Sequence, residues 1–176
     1  MSRIGIVYYS GGGTTTEFAN AVVQGVEASG NEVLLHKIEG REIVEGRWSG
    51  DECLAQLDEC DAIIFGTPTY MGGVSAQLKA FFDATVPRWY QQSWNGKYAA
   101  AFTVSAKTSG DKLNSLQDIF TFAMQMGMLW VGTGGGVQEV NGYYIGAGIT
   151  AMNPDAVTEA ELATARALGE RVVGQL

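Results

Sequence analysis

Apolar positions along the chain follow two alternating spacings, which predict strands and helices in turn. Short apolar or alternating runs predict five strands, over residues 3–9, 32–38, 62–66, 98–105 and 128–131. Apolar residues at helical spacing predict five helices, over residues 15–29, 51–58, 75–85, 111–126 and 158–174. Strands that alternate with helices favour a parallel sheet covered on both faces. The pattern therefore predicts one α/β domain over residues 1–176, with a five-stranded parallel sheet.

Three segments lack either spacing and are predicted as loops. Residues 40–50 are polar and contain glycine, and residues 86–95 combine aromatic with polar side chains. Residues 133–154 form a long glycine-rich stretch between the last predicted strand and the last helix.

The first predicted strand ends in a run of glycines and hydroxyls just before a helix. Glycines allow several backbone N–H groups to face one anion, and the helix N-terminus adds a partial positive charge. Hydroxyl donors come from Ser10, Thr14, Thr15 and Thr16. The lysine of an ATP-type P-loop and the GxGxxG spacing of dinucleotide sites are both missing. The loop therefore predicts a site for a phosphate monoester, such as that of a mononucleotide.

Two further donor-rich loops follow the third and fourth predicted strands. They lie at residues 67–73 and 105–110, and the carboxyl ends of parallel strands meet at one edge of a sheet. We expect the phosphate at residues 10–15 and a flat ring between residues 68–73 and 105–110. Tyr70 and Met71 would offer that ring an aromatic face and a thioether.

Composition narrows the class of protein. Among 176 residues, 19 acidic and 11 basic side chains give a net charge of -8, which argues against nucleic-acid binding. No apolar run has the length of a membrane span, so we expect a cytoplasmic protein. The spacing of Cys53 and Cys60 predicts buried free thiols, and His36 is predicted to be structural. No triad, GxSxG elbow or metal-ligand cluster is evident, so a cofactor must carry any reaction.

At this point the sequence resembles the WrbA family of flavodoxin-fold NAD(P)H:quinone oxidoreductases. The resemblance rests on Tyr8-Tyr9-Ser10 with its glycine-hydroxyl loop, Gly66-Thr67-Pro68-Thr69, and residues 77–83. It extends over nearly the whole chain, including Trp89. It implies a flavodoxin-like three-layer sandwich with strand order 2-1-3-4-5, the cofactor FMN, NADH or NADPH as co-substrate, and a quinone-type acceptor.

The resemblance also implies roles for individual residues. The FMN phosphate would be held by Ser10, Gly12, Gly13, Thr14 and Thr15. One edge of the isoalloxazine ring would lie against Pro68, Thr69, Tyr70, Met71 and Gly72. The other side would contact Ser105, Ala106, Lys107, Thr108, Ser109 and Gly110. Trp89 and Tyr70 would stack on the substrate. Because the family's tryptophan reaches a neighbouring subunit, the resemblance implies a homodimer or homotetramer.

The chain departs from the family's usual pattern at the ring. Tyr70, Met71 and Gly73 replace the arginine, phenylalanine and asparagine of the second loop, and Met126 follows Gln125 where the family usually carries histidine. Lys107 is a candidate replacement for the lost positive charge. Two alternatives to the enzyme stay open: a flavodoxin-like electron carrier, and a binding or regulatory module that has lost the cofactor. Trp48 and Trp94 are predicted as core or interface aromatics.

Overall fold

The computed structural model describes residues 1–134 and 143–176, and within them six strands form one parallel sheet. In chain order the strands are β1 (Arg3–Tyr8), β2 (Glu32–Lys37), β3 (Ile43–Val44), β4 (Arg47–Trp48), β5 (Ala62–Pro68), β6 (Tyr98–Ser105), β7 (Leu129–Trp130) and β8 (Ala147–Thr150). The sheet has the order β2-β1-β5-β6-β7, with β8 also paired to β6, while β3 and β4 form a separate antiparallel pair. Without that hairpin in the numbering, the order is the predicted 2-1-3-4-5.

Two short strands share the fifth position of the sheet. β7 pairs with the beginning of β6, at Tyr98 and Ala99, and β8 pairs with its end, from Phe102 to Ser105. The loop predicted over residues 133–154 is therefore wrong at β8, where the chain returns to the sheet. Residues 135–142 of that predicted loop lie outside the described residues. β8 lies beside the carboxyl end of β6, and so borders the edge where the site is predicted.

Helices cover both faces of the sheet. They are α1 (Thr14–Glu27), α2 (Asp51–Asp58), α3 (Ala76–Ala84), α4 (Val86–Gln91), α5 (Lys112–Gln125) and α6 (Glu159–Val173). Because successive strand residues face opposite sides, β1 supplies Ile4 and Ile6 to a core with α1 and α6, and Val7 to a core with α2, α3 and α5. The predicted three-layer sandwich is confirmed. No helix in the described ranges is long and apolar enough to cross a membrane.

Local structure was missed in two of the predicted loops. Residues 86–91 form the short helix α4, which has Pro87 in its first turn and is followed by Gln92 as C-cap, with a φ of 56°. Residues 43–48 form the β3–β4 hairpin, whose turn at Glu45 and Gly46 has two positive φ values. Each element is too short to show a hydrophobic period.

The two cysteines are free and buried, as predicted. Burial, with Glu42 adding to it, raises the pKa of the Cys53 thiol to about 12, and burial raises the pKa of Cys60 to about 11. Because the folded pKa values exceed the ordinary thiol value, the stability that neutral thiols contribute is complete below about pH 9 and is lost at higher pH.

We therefore expect the free energy of unfolding, measured in urea, to fall as the pH rises above about 9. The fall should be smaller in the variant that combines Cys53→Ala with Cys60→Ala, because this variant has no buried thiol to ionise. Lysines and tyrosines titrate equally in both proteins, so the difference between the two slopes reports the thiols. An identical pH slope in the two proteins would mean that the thiols do not contribute.

Candidate functional site

The turn between β1 and α1 is closed by short-range hydrogen bonds. The Ser10 hydroxyl accepts the Gly13 N–H at 3.1 Å, and the Gly13 carbonyl accepts the N–H groups of Thr16 and Glu17. Gly13 is the N-cap of α1 and has a φ of 94°, in the left-handed region that favours glycine. The N-terminus of α1 therefore begins at the carboxyl edge of the sheet, in the geometry that binds an anion.

The first and second predicted loops meet over Gly11. A Cβ atom added to Gly11 would lie 2.5 Å from the Tyr70 hydroxyl oxygen and 3.5 Å from that of Tyr9. Gly11 therefore leaves the room that the Tyr70 side chain occupies. A Cβ atom on Gly13 would likewise lie 2.9 Å from Cγ of Pro154. The structure thus brings the glycine-rich turn, the second loop and the segment after β8 to one place.

Tyr70 stands at the base of a two-residue turn. Its N–H and C=O groups pair with those of Gly73 at 3.0 and 3.1 Å, and both turn residues, Met71 and Gly72, have positive φ. This is the type I′ pattern of tight hairpins. The Met71 side chain is fully exposed and that of Tyr70 is about half exposed. Partial burial, with Tyr9 adding to it, raises the pKa of the Tyr70 phenol, so this phenol is neutral at ordinary pH.

Pro68 and Thr69 are held firmly at the end of β5. Pro68 is buried, and the Thr69 N–H donates to the carbonyl of Val104 on β6 at 2.7 Å. The Thr69 hydroxyl lies 2.9 Å from that of Thr103 and 2.8 Å from that of Ser115 on α5. These hydrogen bonds fix the start of the second loop to β6 and α5.

The third loop has a buried beginning and an exposed middle. Ser105 is buried, whereas residues 106–109 are exposed, Lys107 among them. The Ser105 hydroxyl donates to the carbonyl of Lys107 at 2.7 Å, which folds the loop back on the end of β6. Gly110 has a φ of 52° and passes close to Ser105, where a Cβ atom would lie 2.3 Å from the hydroxyl oxygen.

Lys112, which was not predicted from the sequence, donates hydrogen bonds to this loop from the start of α5. Its side chain is fully buried at the start of α5. Burial lowers its pKa to about 8, and the charge of Glu161 opposes that shift. The signal was present in the sequence, because Lys112 shares the spacing of the buried α5 residues Ser115, Leu116 and Ile119. A lysine at an apolar position of an amphipathic helix indicates a buried charge.

The beginning of α5 also binds the second loop. Nδ2 of Asn114 donates to the carbonyl of Gly72 at 2.8 Å, and a carboxylate oxygen of Asp118 accepts the N–H of Val74 at 3.4 Å. Together with Ser115, these side chains connect α5 to the second loop, whereas Lys112 connects the same helix to the third loop. None of them was predicted, since their partners are distant in sequence.

Trp89 and Tyr70 border one groove between α3, α4 and α5. The groove has a volume of about 1130 Å³, and its apolar lining includes Tyr70, Val74, Phe82, Trp89, Phe122 and Met126. Trp89 is half-buried, and its ring centroid lies 4.8 Å from that of Tyr90. The two residues predicted to stack on a substrate thus lie along one continuous surface that begins at the second loop.

The other candidate aromatics are structural. Trp48 and Trp94 are buried, and their indole N–H groups donate to Glu42 at 2.9 Å and to Asp58 at 2.7 Å. His36 packs edge-on against Trp48, with ring centroids 5.9 Å apart, as a structural histidine would. Across the two described ranges, no group of three or more His, Cys, Asp or Glu side chains is placed to hold a metal ion.

These features fit a flavin mononucleotide. The left-handed Gly13 and the α1 N-terminus suit a phosphate monoester, and the place where a Cβ would stand on Gly12 has nothing within 4 Å. The Tyr70 turn follows β5 and the exposed residues 106–109 follow its neighbour β6, so both lie at the carboxyl edge of the sheet. An open parallel sheet with three such loops at its carboxyl edge defines a flavodoxin-like, mononucleotide-binding class of protein.

The chain belongs to the NADPH-dependent FMN reductase family, whose model matches residues 8–137. It is 41% identical over 134 residues to flavodoxin FldP of Pseudomonas aeruginosa, covering 76% of this chain and 67% of that protein. It is 32% identical over 187 residues to an NAD(P)H dehydrogenase (quinone) of Archaeoglobus fulgidus, covering 98% and 96%. The crystal structure of the flavodoxin, WrbA-like protein from Agrobacterium tumefaciens superposes with a TM-score of 0.82, at 40% identity over 99% and 97% of the two chains.

These similarities confirm the predicted family, the flavodoxin-like fold and the class of FMN-dependent oxidoreductases that use NAD(P)H. The roles given to individual site residues stay predictions, as do the oligomeric state and the cellular location.

Proposed function

We propose that the protein is an NAD(P)H:quinone oxidoreductase that works with bound FMN. The observation that carries the proposal is the convergence of three loops: Tyr70 lies over Gly11, and α5 connects the Tyr70 turn to residues 105–110. Membership in the FMN reductase family and relatives named NAD(P)H dehydrogenase (quinone) support this reading. Bound FMN would supply the redox chemistry, as a two-electron carrier between NAD(P)H and the acceptor.

Different residues of this chain would then bind the phosphate and the ring of FMN. Ser10 and Gly12–Thr15 would hold the phosphate through backbone N–H groups and hydroxyls, without a full positive charge. Pro68–Gly72 and Ser105–Gly110 would hold the two sides of the ring. The apolar groove from Tyr70 to Trp89 would accept the flat rings of nicotinamide and quinone in turn and exclude water from them.

A second candidate is an electron carrier that binds FMN without reacting with NAD(P)H. A relative named flavodoxin favours it, as does the net charge of -8, which would suit docking to basic redox proteins. The two functions share the FMN site and differ in whether NAD(P)H can reach it.

Anaerobic titration of the FMN-reconstituted protein separates them. We expect NADPH to bleach the flavin absorbance rapidly, and added benzoquinone to restore it. Bound flavin that ignores both NADH and NADPH would overturn the enzyme and favour the carrier. A protein that takes up no FMN would overturn both and favour the binding module.

A further inference from the structure

Lys112 is a buried cation behind one of the three loops. Nζ lies 2.8 Å from the Ser105 hydroxyl, 2.9 Å from the Lys107 carbonyl, 2.8 Å from the Thr108 carbonyl and 2.8 Å from the Thr150 hydroxyl. All four oxygens are neutral. Three belong to the third loop, and the fourth belongs to β8, so the ammonium group joins the loop to the edge of the sheet.

The ammonium group also determines which way the loop's peptide groups face. The carbonyls of Lys107 and Thr108 both point at Nζ. In a trans peptide the C=O and N–H bonds point in opposite directions, and none of the described peptide bonds is cis. The N–H groups of Thr108 and Ser109 therefore face away from Lys112, in a segment whose residues 106–109 are exposed.

Two other groups near Lys112, the charged Glu161 and the aromatic Tyr143, make hydrogen bonds of their own to other residues. The Glu161 carboxylate accepts the N–H groups of Thr150 and Thr158, and so is already hydrogen-bonded at the far side of β8. The ring of Tyr143 lies 5.9 Å from Nζ, and its hydroxyl donates to the carbonyl of Ser109. A cation that polarises two outward N–H groups strengthens them as donors.

We propose that Lys112 is a positioning residue for the flavin, which holds the 105–110 loop with its N–H groups toward the ring and places a positive charge behind them. This inference rests on the proposed FMN site. Reduction makes the flavin ring richer in electrons, so a nearby positive charge stabilises the reduced more than the oxidised state. In this proposal Lys112, buried behind the 105–110 loop, supplies the positive charge that the chain lacks at the family's arginine position, and the exposed Lys107 does not.

Two variants separate the positioning from the charge. Lys112→Met removes both the donors and the charge, whereas Lys112→Gln keeps an N–H donor without the charge. Lys97→Met is the matched control, since Nζ of Lys97 also donates to backbone carbonyls, those of Asp58 and Cys60, but just before the amino end of β6. Affinities for FMN and riboflavin are measured by fluorescence titration, and the midpoint potential by equilibration with a redox dye.

We expect Lys112→Met to weaken FMN and riboflavin by the same factor, about tenfold, and to make the midpoint potential more negative. Lys112→Gln should shift the potential with a smaller loss of affinity, and Lys97→Met should change neither property. Unchanged affinity in Lys112→Met would overturn the positioning role, and an unchanged potential in both variants would overturn the role of the charge. If the wild-type protein binds no FMN, the proposed function fails first; if it binds FMN and the variants match it, this inference fails alone.

Discussion

Gly25→Val is expected to lower the free energy of unfolding by about 3 kcal/mol, because α1 and α6 cross with their backbones in contact. A Cβ atom at Gly25 would lie 2.0 Å from the carbonyl oxygen of Arg166. One at Gly169 would lie 2.5 Å from the carbonyl oxygen of Val22. A backbone carbonyl cannot rotate away as a side chain can, so the helices must separate and both lose apolar contacts with the sheet.

Thermal and urea unfolding measure this effect. A loss of about 3 kcal/mol corresponds to a fall in Tm of about 10 °C in a protein of this size. Gln24→Val is the matched control, since Gln24 is exposed on the same helix and the introduced residue is the same. We expect it to cost about 0.5 kcal/mol through helix propensity alone. Equal losses in the two variants would show that the crossing tolerates a side chain.

The central strands were predictable because each one is a continuous run of apolar or small residues in the sequence. β1, β5 and β6 are covered on both faces, so nearly every residue in them must be apolar or small. The loops that follow these strands were predictable for the same reason, since a run of glycine and hydroxyl residues directly after a buried strand cannot continue it. Topology then brings those loops together without any signal between them.

β8 and α4 could not be predicted in the same way. β8 has only four residues, and Ala147 and Gly148 in its first half disfavour strands, so the strand forms because β6 extends beyond β7 and leaves an edge to pair. α4 has six residues, fewer than two turns, and no fully buried side chain. Elements of this kind depend on tertiary contacts rather than on local period.

In the candidate site, too, some features were predictable from the local sequence and others depend on tertiary contacts. The glycines and hydroxyls of the first loop were apparent in sequence, whereas the contact of Tyr70 with Gly11 depends on two segments about 60 residues apart and on a turn whose type only the backbone shows. Lys112 lies at the limit of what a pattern can indicate. Its spacing marks it as buried, but the four oxygens that make burial of a cation tolerable come from the third loop and β8.

The phosphate assignment makes the largest prediction for binding. Combining Thr14→Val with Thr15→Val is expected to weaken FMN binding by about 3 kcal/mol or more, since each hydrogen bond to a charged group contributes about 1.5–3 kcal/mol. Valine keeps the branched shape of threonine, so the buried position of Thr15 stays filled. The dissociation constant for FMN, measured by quenching of flavin fluorescence, should rise more than about a hundredfold.

Riboflavin is the control ligand, because it carries the same ring without the phosphate. Its affinity should be the same for the wild-type protein and the double variant, whereas Lys112→Met should weaken both ligands alike. The two sets of variants thus assign the two ends of the cofactor independently. If the double variant loses riboflavin as well, the threonines act through the shape of the turn. If FMN affinity is unchanged, the phosphate is held by Ser10 and the backbone N–H groups of the glycine-rich turn without help from either hydroxyl.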